Sequence, residues 1–130
     1  MAFFTSRLTG LIFLLMLAST AHGQAVIFSA ESCPSCQEAV VQWLSNHPEC
    51  ESITLVLLGF SPARRVSMLK RAGLEHYPRI SVQNPSDWYQ YLKPENIYVL
   101  SEEDDSQLTA FPPGETKAII AHLKAVLTCR

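Results

Sequence analysis

The feature that most constrains this chain is a short apolar run, Ala25-Val26-Ile27-Phe28, followed after four small or polar residues by Cys33-Pro34-Ser35-Cys36. The run shows no polar alternation, as expected of a strand buried on both faces. Pro34 suits the first position of a helix, which predicts Cys33 as the N-cap and Cys36 one turn later. Cys36, Ala39, Val40, Trp43 and Leu44 then recur at helical spacing, and Pro48 closes the segment. A thiolate at Cys33 would face the unpaired backbone N–H groups of the first turn, which lowers the thiol pKa. Cys36 falls on the inner face and is expected to be the less exposed sulfur. That asymmetry suits disulfide exchange in two steps, with attack by Cys33 and resolution by Cys36.

Other readings of the pair are weaker. A structural zinc site takes four ligands, usually from a second paired motif. Cys50 and Cys129 are isolated, and His22, His47, His76 and His122 show no ligand spacing, so no metal and no cofactor is expected. An inert disulfide closed within one helical turn would add little stability. A chance Cys-x-x-Cys is disfavoured by the strand before it and the helix after it.

The chain opens with Arg7 as its only charge, an apolar run over residues 11–18, and small residues at Ala21 and Gly23. This reads as a signal peptide over residues 1–23, leaving a mature domain of 24–130 in the periplasm or outside the cell. The apolar run falls short of the roughly 20 residues needed to span a bilayer. Loss of Arg7 leaves 9 basic and 12 acidic residues, net −3, with no basic footprint for nucleic acid. All four cysteines lie in the mature part, where disulfides persist.

Downstream, residues 53–58 (Ile-Thr-Leu-Val-Leu-Leu) predict a second buried strand. Ser61-Pro62 opens a helix with Val66, Leu69 and Ala72 inward, ended by Gly73-Leu74. Residues 79–82 predict a brief extended piece, 86–92 a short helix and 96–100 a third strand. The acids of 102–105 mark a turn into a strand at 107–111. A last amphipathic helix over 114–129 turns Ile119, Ile120, Leu123, Val126 and Leu127 inward. Right-handed crossovers would make the first two strands parallel neighbours, the later hairpin would extend the sheet, and helices would cover both faces.

The strand Val26-Ile27-Phe28, the cysteine motif and the helix after it together resemble the active-site segment of the thioredoxin superfamily, and the likeness covers residues 24–130. Residues 77–100, with Pro94 ahead of Ile97-Tyr98-Val99-Leu100, are similar to the exported TlpA/ResA-type redoxins. The resemblance implies a thioredoxin-like three-layer α/β/α sandwich with a mixed central sheet. It implies a protein-disulfide oxidoreductase, acting as a reductant on protein thiols or disulfides and recharged by a membrane or soluble redox partner, as a monomer. It also implies a cis Lys93–Pro94 bond beside Cys33, with Pro94 and Lys93 holding the substrate chain; an ordinary trans proline is the alternative. In that fold the first and last helices share a face, so Cys50 and Cys129 either form a disulfide or remain separate thiols.

The chain departs from the family at Ser32, where Trp is common. It also lacks the buried acid of thioredoxin's preceding strand, which leaves proton transfer to water or to another group, with Glu31 and Glu38 as candidates. Tyr77, Tyr89 and Tyr91 are candidates for a substrate groove. The competing function is a non-catalytic module that binds a partner protein or a soft metal ion through its cysteines.

Overall fold

A computed structural model describes residues 24–101 and 107–127. Residues 1–23, expected to be a leader, the acids of 102–105, expected to form a turn, and Cys129 lie outside the described residues. Five strands form one sheet: β1 (Ala25–Ser29), β2 (Thr54–Leu58), β3 (Ile80–Gln83), β4 (Ile97–Ser101) and β5 (Gln107–Phe111), in the order β3-β2-β1-β4-β5. β1 pairs with β2 in parallel and with β4 antiparallel, so it is central, and all five of its residues are buried. The sheet is mixed, since β2–β3 is parallel and β4–β5 antiparallel. The brief extended piece expected near residue 80 is therefore a full edge strand.

Among the described residues three α-helices follow from local signals: α1 (Pro34–Ser45), α2 (Pro62–Arg71) and α3 (Thr116–Val126). Ser61 caps α2 by accepting the Arg64 N–H at 3.2 Å. Gly73, at φ 75°, lets the Leu74 N–H turn back to Leu69 O at 2.8 Å, a C-terminal closure that favours glycine. Val66 does not face inward as its spacing suggested: it is 58% exposed, and Met68 joins Leu69 and Ala72 in the core. The helix is rotated by about one position, which leaves Arg65 half-buried in the inner stripe, where its aliphatic stem can cover apolar surface. α3 is shorter than expected, because Gly114 at φ 88° belongs to the turn before it.

Both faces of the sheet are covered, as expected, but the described α-helices all lie on one of them. Val26, Phe28, Leu55, Leu57, Val99 and Phe111 share a cluster with the inner residues of α1, α2 and α3. The two crossovers, β1–α1–β2 and β2–α2–β3, step the same way across the sheet. With right-handed connections both helices must then lie on one face. From β3 the chain has to return beyond β1 to start β4, and it does so across the other face. There the expected short helix is a 3-10 turn, Pro85–Asp87, and Trp88 and Leu92 beyond it cover Ala25, Ile27, Val56, Leu58, Tyr98 and Leu100. Trp88 is 1% exposed and is the largest fully buried side chain. Trp88→Ala should therefore cost about 3–5 kcal/mol, read as a lower urea midpoint at unchanged slope.

Candidate active site

The site forms where β1 ends. Ser29 is the last strand residue, and a turn of buried polar groups carries the chain to Cys33. The Ser29 Oγ donates to Pro94 O at 2.6 Å and accepts the Glu31 N–H at 3.0 Å. The Ser32 Oγ accepts the Ser29 N–H at 3.1 Å and shares its proton between Pro94 O and Asn96 O, each at 3.1 Å. From α1, the Gln37 amide donates to Ser29 O at 3.0 Å and to Ser32 O at 2.8 Å. All three side chains are buried, so these partners replace the water they lose. Ser32, a departure when read as a missing Trp, is a structural tie in this chain.

Cys33 is the N-cap of α1, with Pro34 in the first helical turn. Its Sγ accepts the Cys36 N–H at 3.3 Å and lies 3.1 Å from the Ser35 hydroxyl. Its pKa falls from 9.0 to about 6. The largest cause is the hydrogen bond from the Cys36 thiol, followed by that from Ser35, with backbone N–H groups of Gly114 and Cys36 adding to them and burial opposing. The half-exposed Cys33 can meet a solvent-borne disulfide, whereas Cys36 is 1% exposed. The Cys36 Sγ lies 3.5 Å from Thr116 Oγ1, the first residue of α3. Both cysteines are free thiols, so the arrangement is that of the reduced pair.

Glu31 and Glu38 are exposed, and it is the Thr116 hydroxyl that sits against Cys36. Thr116, Ser35 and Gly114 had no assigned role in the sequence reading. For Gly114 and Thr116 the only signal was the Pro112-Pro113-Gly114 turn ahead of a helix, and for Ser35 its place between the two cysteines.

Pro94 is brought to the motif, as its bonds from Ser29 and Ser32 show. The expected cis bond is corrected: the described peptide bonds are all trans, including Lys93–Pro94. The Pro94 carbonyl points inward to the serines, the Lys93 N–H donates to Tyr98 Oη at 2.8 Å, and Lys93 O accepts the Asn96 N–H at 3.2 Å. These backbone groups are satisfied inside the fold and do not reach outward for a substrate strand. Trans is the cheaper isomer by about 0.5–1 kcal/mol, and here it also serves the serine contacts.

Cys50 is fully buried and disulfide-bonded. The Tyr77 hydroxyl is turned inward, sharing its proton between Cys50 O at 3.0 Å and Ile53 O at 2.6 Å. Burial, with a smaller push from Glu51, raises the phenol pKa, which keeps Tyr77 a neutral donor. Trp43 and Trp88 are core residues, and His47 stacks on Trp43 at 4.3 Å. Among the described residues no three His, Cys, Asp or Glu side chains gather as a metal site.

No family model and no curated protein matches the chain. Solved structures do, among them a secreted Mycobacterium tuberculosis disulfide oxidoreductase homologous to E. coli DsbE. The two share 15% identity and a TM-score of 0.54, over 82% of this chain and 85% of that one. Sheet, helices and this likeness together define a thioredoxin-like α/β fold, with its cysteine pair at the N-terminus of the first helix.

Alkylation of the reduced protein should modify Cys33 first, with a rate that rises with pH through a midpoint near 6. Ser35→Ala should move that midpoint upward. Faster labelling of Cys36, or a midpoint at the pH of a free thiol, would contradict the assignment.

Proposed function

We propose that this chain is an exported thiol–disulfide oxidoreductase that reduces protein disulfides in the manner of the TlpA/ResA redoxins. The observation that carries the reading is the Cys33 sulfur at the cap of α1, its pKa lowered to about 6, directly in front of a buried Cys36. At neutral pH roughly nine in ten such thiols are thiolate.

In the first step the Cys33 thiolate attacks one sulfur of a substrate disulfide. A Cys33–substrate disulfide forms and the second substrate sulfur leaves as a thiolate. Cys36 then gives up its proton and attacks Cys33, releasing the first substrate sulfur and closing a Cys33–Cys36 disulfide. Two electrons pass to the substrate, and a dithiol partner, membrane-bound or soluble, must return them. The Thr116 hydroxyl is placed to donate to the negative charge that develops on Cys36, a contact of most use in the transition state. The Pro94 ring and the exposed Lys93 side chain are proposed as the substrate-side rim, acting through side chains. Export rests on the leader-like residues 1–23 and on the secreted structural neighbour. No helix among the described residues is long and apolar enough to cross a membrane.

A further structural proposal is that the partner of Cys50 is Cys129. The bridge would close a loop of about eighty residues, for which chain-entropy models give roughly 4 kcal/mol.

Cys36→Ser should accumulate mixed disulfides with substrate proteins on non-reducing gels, and Cys33→Ser should give none. Equal trapping by both, or by neither, would favour a binding module that holds a partner or a soft metal ion without exchange. Non-reducing peptide maps of the same material should recover a Cys50–Cys129 peptide pair, and two free thiols there would refute the bridge.

A further inference from the structure

The cations of this chain are unevenly placed. The whole sequence carries net charge −2, yet α2 holds Arg64, Arg65, Lys70 and Arg71 in ten residues with no acid. Between α2 and α1 lies a cleft of about 150 Å³, walled by Pro34, Glu38, Val41, Arg64, Met68 and Arg71. Drug-sized ligands occupy about 300–1,000 Å³, so this cleft admits side chains and not a cofactor. Its Pro34 end adjoins Cys33 in the chain. Whatever enters it is therefore within a few residues of a sulfur bonded to Cys33.

Arg64 and Arg71 are both exposed at the cleft, with Glu38 the only acid on its wall. The Arg64 guanidinium lies over the Phe60 ring, 5.2 Å from its centroid. That contact orders the planar fork before a ligand arrives, and such a fork pairs with carboxylates in two-pronged fashion. Arg65 and Lys70 extend the positive field along the helix.

We propose that the α1–α2 cleft docks an acidic stretch of the substrate polypeptide, its carboxylates held by Arg64 and Arg71, beside the disulfide being reduced. The proposal rests on the oxidoreductase reading and names its substrate class. An anionic membrane is the other surface a basic helix could meet. A concave cleft with Pro34, the chain neighbour of Cys33, on its wall favours a polypeptide side chain over a flat lipid surface.

The test uses the reduced wild-type protein and two peptides, each with one internal disulfide, flanked by paired Glu or by paired Lys. Uncharged hydroxyethyl disulfide is measured first, and if it is not reduced the oxidoreductase reading itself fails. If it is reduced, the acidic peptide should react about three- to tenfold faster than the basic one. The ratio should fall toward one at about 1 M salt, where the screening length is about 3 Å. In Arg64→Glu/Arg71→Glu, two exposed changes, the ratio should invert. Equal rates for both peptides with hydroxyethyl disulfide still reduced would overturn the docking proposal alone. Equal rates together with sedimentation on phosphatidylglycerol vesicles would replace it with a membrane contact.

Discussion

Two buried hydroxyls, those of Ser29 and Ser32, hold together the three pieces of chain that make the site. They join the end of β1 to the loop before β4 through the carbonyls of Pro94 and Asn96, and Gln37 of α1 closes the group from above. In a site closed to water each of these bonds is stronger than in solvent, and each unpaired member would be costly. The direction in which β1 delivers Cys33 to the helix N-terminus is therefore fixed by polar contacts as much as by the core.

With Cys33 so placed, its electrostatics follow. Donors from Cys36, Ser35 and Gly114 converge on one half-exposed sulfur and favour its charged form. A folded-state pKa below the unfolded one stabilises the reduced fold above the unfolded value, near 9.0, and that gain is lost as pH falls through about 6. Anything that stabilises the reduced form also makes the couple less strongly reducing. A Cys33–Cys36 couple is accordingly expected to be less reducing than one built from two ordinary thiols.

Much of this was legible in the sequence where one local rule decided the outcome. Pro34 set the start of α1, Ser61-Pro62 and Gly73-Leu74 set both ends of α2, and the apolar runs set β1 and β2. The misses all depended on tertiary context. Rotation of α2 exposed Val66, the return path from β3 decided what covers the second face, and the captured carbonyl at Pro94 accompanies a trans bond. Ser32, Gln37 and Thr116 are ordinary residues in sequence, and only the fold brings them to the cysteines.

Cys33 and Cys36 are proposed to form a two-electron couple whose reduced form carries a thiolate with a pKa near 6. The most direct measurement is the reduction potential against a glutathione buffer as a function of pH. Below that pKa two protons accompany two electrons, and the potential should fall by about 59 mV per pH unit. Above it one proton accompanies them, and the slope should drop to about 30 mV per unit, with the break near pH 6. A single slope of about 59 mV running up to pH 8, or no reversible couple at all, would rule out a low-pKa thiolate at Cys33.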